Sequence, residues 1–174
     1  MTLYESTRDL HHACEMHPLG QAMVNATITP QQWADWLEAL RTIHTALDPH
    51  LPPYAQVAGE LTLDLVDMLP VTPNPSIKAQ DFATTLTTPE RIGGAAYVLV
   101  GAHRRGGRVT EKRFREAGLG LPTRHVRFFS GDHAEALIQW LRSKEQLLRA
   151  SQATFIALID VMEEILPTIP EAKA

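Results

Sequence analysis

Apolar positions in this chain recur every three to four residues in almost every segment, which is the period of an amphipathic helix rather than of a strand. The clearest case follows Thr29, where Pro30 suits a first helical position and Gln32 completes a capping box. Trp33, Trp36, Leu37, Leu40, Ile43, His44 and Leu47 then form one stripe, and Asp48-Pro49 ends it. A first helix is expected over residues 2–16, stopped by Pro18. Shorter helices are expected around Leu61 to Leu69, with Asp64 and Asp67 on the wet side, and around Ile77 to Leu86, begun by Ser76. Thr87-Thr88-Pro89-Glu90 opens a further helix with a capping box. Residues 110–117 read as a short helix carrying Phe114 and stopped by Gly118; residues 119–130 read as a connector with Phe128 and Phe129. Asp132 with Glu135 begins another helix, and a last one covers residues 151–166 before Pro167. No strand-like alternation of four or more residues competes, so the chain is expected to be all-α.

One segment breaks this pattern. Ile92, Ala96, Leu99, His103 and Gly106 share a helical face, so an apolar stripe runs into a histidine and then into a residue without a side chain. Each mid-helix glycine costs roughly 1 kcal/mol relative to alanine, and Gly101, Gly106 and Gly107 fall within seven positions. Either the helix bends there so that a flat ligand can lie against bare backbone, or it ends near Arg105 with Gly106 as its terminal glycine and the arginines facing the helix dipole.

Composition narrows the class. A length of 174 residues with 44% hydrophobic and 21% charged residues suits one packed domain spanning residues 1–174, with residues 166–174 as a loose tail. No apolar run reaches the length of a membrane span and no signal-peptide pattern leads the chain, so a cytoplasmic protein without a membrane partner is expected. A net charge of -4 argues against a nucleic-acid partner. The single cysteine, Cys14, excludes an internal disulfide and a cysteine-rich zinc site.

Tyr97-Val98-Leu99-Val100-Gly101 followed by Gly106-Gly107-Arg108-Val109 resembles the distal helix of the heme oxygenase family, with one residue extra before the paired glycines. A second stretch supports the resemblance. His11 and Glu15 lie four apart, so a carboxylate can reach the imidazole one turn away, the arrangement that fixes the tautomer of a metal-bound histidine. Leu10-His11-His12-Ala13-Cys14-Glu15 is similar to the family's proximal helix. The match makes His11 the iron ligand, supported by Glu15, with His12 as the fallback. Ala39 to Asp48 resembles the family's second long helix, with His44 in place of an aromatic that is usually Tyr. His44 is then either a helix histidine with a local partner or part of a pocket.

The resemblance implies a single helical domain with a kinked distal helix, and heme as both cofactor and substrate. The activity implied is reductive, oxygen-dependent opening of heme to biliverdin, carbon monoxide and iron, with electrons from a separate reductase. It sets Tyr97, Gly101, Gly106 and Gly107 against the distal face of heme, and Arg8, Arg142, Lys144 and Arg149 as candidate partners for the propionates. His103 departs from the family pattern. Turned inward, it could occupy the second axial site and make a bis-histidine heme sensor or carrier; turned outward, it leaves the oxygenase intact. A third class is an unrelated helical oxygenase or hydrolase. A di-iron site would need repeated carboxylate–histidine pairs at i, i+3, and Asp9 with His12 is the only one. Either a monomer or a homodimer is compatible with the sequence.

Overall fold

The computed structural model describes residues 2–128 and 132–167. The expected loose tail, Phe129 and Ser130 therefore lie wholly or mostly outside the described residues, as does the Asp132 side chain that was to complete a capping box. Within them every regular element is helical, as the periodicity requires, and no helix is long and apolar enough to cross a membrane.

Helix α1 (Leu3–Met16) starts at a capping box between Thr2 and Glu5. A short helix absent from the sequence expectation, α2 (Pro18–Val24), follows at once because His17 serves as its cap: Nδ1 accepts from the Leu19 N–H at 3.1 Å, while Nε2 lies 2.9 Å from Glu163. Helix α3 (Pro30–Leu47) has the predicted Thr29–Gln32 box and buries Trp33, Leu37, Leu40, Ile43 and Leu47. Helices α4 (Ala58–Asp67) and α5 (Ile77–Thr84) both pack on α3. Ser76 caps α5 as expected.

Helix α6 (Pro89–Ala102) is capped by Thr88 rather than Thr87: the Thr88 hydroxyl accepts from the Arg91 N–H, which puts Pro89 at the first helical position where no N–H is needed. The glycine segment neither ends the helix nor breaks it. Residues His103–Gly107 form a π-helical turn that runs straight into α7 (Arg108–Ala117), and Gly118 closes α7 with φ 67° in the left-handed region. A short helix, α8 (Arg124–Phe128), occupies the predicted connector. Helix α9 (Asp132–Arg142) starts where expected but stops short of Leu148, which the spacing would put on its face; Leu148 instead opens α10 (Leu148–Ile165), three residues earlier than the sequence suggested.

The core lies where α10 packs on both α6 and α1 while α3 faces α6 from the other side. The α6–α10 contact is close because Gly94 sits against α10: a Cβ built there would lie 2.5 Å from Ala150 Cβ and 2.7 Å from the Ser151 nitrogen. Only a residue without a side chain permits that approach. One expectation fails on burial. Asp64 was placed on the wet side of α4, but it is fully buried, because its carboxylate accepts from the backbone N–H groups of Arg124 and His125.

Two substitutions test the packing. Gly94→Ala should cost about 1–3 kcal/mol by forcing α10 away, whereas Gly59→Ala, with nothing within 4 Å of the new methyl group, should gain about 0.5–1 kcal/mol. Urea denaturation of the two variants beside the parent chain measures both.

Candidate functional site

A cavity of about 320 Å³ separates α1 from the far half of α6 and the π turn, a volume in the range of small-molecule and cofactor sites. Its floor is the pocket face of α1, where Tyr4, Thr7, His11 and Cys14 follow one another at helical spacing. Its roof is Gly101, Ala102, Gly106 and Gly107. At Gly101 and Gly106 nothing lies within 4 Å of where a Cβ would stand, so both glycines open directly onto space.

The π turn explains how they come to share that face. On an ideal α-helix, positions five apart are about 140° apart around the axis, which would turn Gly106 away from Gly101. A π turn spends one more residue per turn, which returns Gly106 toward the same side.

His11 lines the cavity, with its ring edge-on to Phe155 at 5.9 Å and Nδ1 at 3.5 Å from a Glu15 oxygen. Glu15 lines the cavity too. His12 does not; it is exposed, with Nδ1 at 3.9 Å from Glu15. Burial pushes the Cys14 thiol up to about 12, with Glu15 adding to the effect, so the only other soft ligand on this wall stays protonated at neutral pH. Tyr97 is buried at the cavity edge.

Of the proposed cations, Arg8 and Arg142 line the cavity. The Arg142 guanidinium sits 5.9 Å over the Tyr4 ring, and its buried Nε has no hydrogen-bond partner. Lys144 is not at the cavity: its ammonium lies over the exposed Trp140 ring at 4.8 Å, which holds it on the outside. Arg149 is likewise exposed and away from the cavity. A cation that sequence reasoning passed over, Arg105, reaches it from the π turn, beside Glu135.

His103 turns inward and is 4% exposed. Its Nε2 does not stand free for a metal, because it lies 2.9 Å from Nε2 of His44. His44 is fully buried, and its Nδ1–H donates to Asp48 Oδ1 at 2.8 Å. The other Asp48 oxygen accepts from the Val57 and Ala58 N–H groups, each at 2.7 Å. Of the two alternatives for His44 the structure shows the helix histidine with a local partner, and His44 is absent from the cavity lining. On the other side of His103, edge-on at 5.3 Å, lies His125, which does line the cavity and whose Nδ1–H donates to Asp64 at 2.6 Å. Sequence reasoning missed Asp48, Asp64 and His125. Asp48 could have been found from its i, i+4 spacing to His44, but Asp64 and His125 are 61 residues apart and carry no local signal. Among the described residues no group of three or more His, Cys, Asp or Glu side chains could hold a metal ion; of the three imidazoles, His44 and His103 share a hydrogen bond and His125 packs edge-on against His103.

Solved structures share this architecture. Heme oxygenase-1 from the cyanobacterium Synechocystis sp. PCC6803, determined in complex with heme, superposes with a TM-score of 0.79 over 94% of this chain and 90% of that one, at 15% identity. Heme oxygenase from Leptospira interrogans gives 0.77 over 93% and 97%, at 19% identity. The chain thus has the all-α heme oxygenase fold, as the motif resemblance implied. Neither a protein-family model nor a curated protein matches the sequence.

Burial first, and then the neighbouring His44 and His125, hold the pKa of His103 well below 6.5. The unfolded chain therefore binds more protons than the folded one once the pH drops below that value, and stability falls as pH decreases from there toward the folded pKa. The loss should approach roughly 1 kcal/mol per pH unit for this one site. His103→Gln, which keeps a polar partner for His44, should flatten the slope in denaturation curves taken at successive pH values.

Proposed function

We propose that this chain binds heme in the cavity between α1 and the π turn, with His11 as the iron ligand, and opens it to biliverdin, carbon monoxide and iron using electrons from a separate reductase. The observation that carries the proposal is the pairing of His11 and Glu15 on one wall with the open-faced glycines Gly101 and Gly106 on the other. The residues present fit the group. A planar macrocycle needs a roof without side chains, its iron needs a neutral imidazole, and its acid groups need a cation, for which the partnerless Nε of Arg142 is suited. Bound there, heme supplies both the iron that activates dioxygen and the carbon that is attacked.

The chain's own residues do the rest. Glu15, with an oxygen 3.5 Å from Nδ1 of His11, would favour a proton on that nitrogen and so leave Nε2 as the ring's lone-pair donor. Phe155, edge-on to the ring, restricts its rotation. Trp33, Leu99, Leu158 and Met162 make much of the lining apolar and exclude bulk water. Arg8 and Arg142 stand on α1 and at the end of α9, where they would orient the acid groups and so set which edge of the macrocycle faces the glycines. The Cys14 thiol, kept protonated, does not compete with His11 as a thiolate.

Heme titration followed by visible spectra tests the proposal. The parent chain and His12→Ala should both give a complete Soret shift, and His11→Ala should lose it or weaken binding at least about tenfold. With a reductase, the parent complex should release biliverdin and carbon monoxide. Absence of a Soret shift in the parent chain overturns the proposal. A low-spin spectrum that becomes high-spin only in His103→Ala would replace it with the bis-histidine heme protein.

A further inference from the structure

Where α7 and α8 meet the π turn, two polar side chains interrupt the apolar lining of the cavity: Thr110 on α7 and His125 on α8. Thr110 is 7% exposed and His125 2%. Among the described residues no hydrogen-bond partner meets the Thr110 hydroxyl or the Nε2 of His125. Both atoms stay open to the cavity and are not sealed into packing. A polar atom left without a partner in so buried a place is costly unless something in the cavity answers it.

Asp64 settles which nitrogen of His125 is bare. One carboxylate oxygen accepts from the ring Nδ1–H at 2.6 Å and from the backbone N–H of the same residue at 3.1 Å, while the other accepts from the Arg124 N–H at 2.9 Å. A carboxylate cannot donate, so the ring proton sits on Nδ1 and the neutral imidazole keeps its lone pair at Nε2. Held through ring and backbone by one buried group, the imidazole is fixed in direction as well as in tautomer.

We propose that Nε2 of His125 and the Thr110 hydroxyl hold a small neutral hydrogen-bond donor in this end of the cavity, water in the ligand-free protein, with Asp64 as the positioning residue. A water held inside a protein needs two to four polar partners. Here it donates one O–H to Nε2, which can only accept, and takes the O–H of Thr110, which can give or receive. The pair selects for a molecule with a proton to offer, because an anion or a carbonyl oxygen would set lone pair against lone pair at His125. The use of the site rests on the heme-cleaving proposal. A proton-bearing molecule is then kept on the roof side of the cavity, away from the His11 wall, in a lining that otherwise repels water.

The test begins with the heme-free protein at about pH 8, where an ordinary histidine is neutral. Long-range 1H–15N NMR should give His125 as the Nδ1–H tautomer, and water-selective NOE spectra should show a bound water beside its Cε1–H and Cδ2–H. Thr110→Val, which keeps the shape and removes the hydroxyl, should weaken or abolish that water signal; an unchanged signal removes Thr110 from the site. In Asp64→Asn the side-chain amide would donate to Nδ1, so His125 should change to the Nε2–H tautomer, an effect that lost packing alone does not produce. An Nε2–H or doubly protonated His125 in the parent chain, or no water signal at its ring, overturns the site, and the parent chain decides this even if Asp64→Asn fails to fold. A low-spin ferric heme complex that turns high-spin only in His125→Leu also overturns it, because Nε2 is then a ligand of the iron. The water signal without any Soret shift on heme addition overturns the heme proposal and leaves the site standing; a Soret shift without the water signal does the reverse.

Discussion

A carboxylate taken out of water must be met by donors on every side, and this fold meets that demand twice in the same way. Asp48, just beyond the end of α3, accepts two successive backbone N–H groups at the start of α4 and one imidazole N–H. Asp64, on α4, accepts two successive N–H groups at the start of α8 and one imidazole N–H. Each carboxylate thereby fixes where the next piece of chain begins and which way a histidine ring faces. The two rings so fixed, His44 and His125, bracket His103, and His103 opens the π turn. The cavity roof is held in place by this chain of contacts.

Such groups are costly to disturb singly. Removing one donor leaves a buried charge partly unmet, and the penalty is of the order of 1–3 kcal/mol. A fold that accepts this exposure on its distal side has little freedom to shift α3, α4, α8 and the π turn independently. The proximal side is built differently. His11, Glu15 and Arg8 are exposed residues on the pocket face and rim of α1, and that helix is held mainly by apolar packing on α10. One wall of the site is set by polar contacts, the other by hydrocarbon.

The sequence disclosed the parts of this that are local. The Thr29–Gln32 box, Pro30 and the stripe from Trp33 to Leu47 specify α3 to the residue, and Ser76 and Gly118 mark their boundaries for similar reasons. The floor of the cavity was legible in the spacing of Tyr4, Thr7, His11 and Cys14, and the roof in the anomaly of three close glycines. The π turn itself was not legible, because periodicity offers a bent helix or a helix end and not one turn with an extra residue that resets the face. The burial of Asp64 was hidden for a different reason. An acidic residue on an amphipathic helix looks wet unless its partners are known, and those partners come from the start of α8, about sixty residues further along the chain.

The close seat of Gly94 on α10 bears on how the roof behaves. At one end α6 is clamped, with Gly93 against the Leu147 side chain and Gly94 against Ala150 and the backbone that follows it. At the other end a methyl group added at Gly101 or Gly106 would meet nothing within 4 Å, while Gly107 lies against Val126 and His103 against His44. The roof is thus tied at its root and again behind the π turn, and only the face toward the cavity is bare. It spans the hollow like a lintel resting on both jambs, so the height of the slot is set by two fixed points.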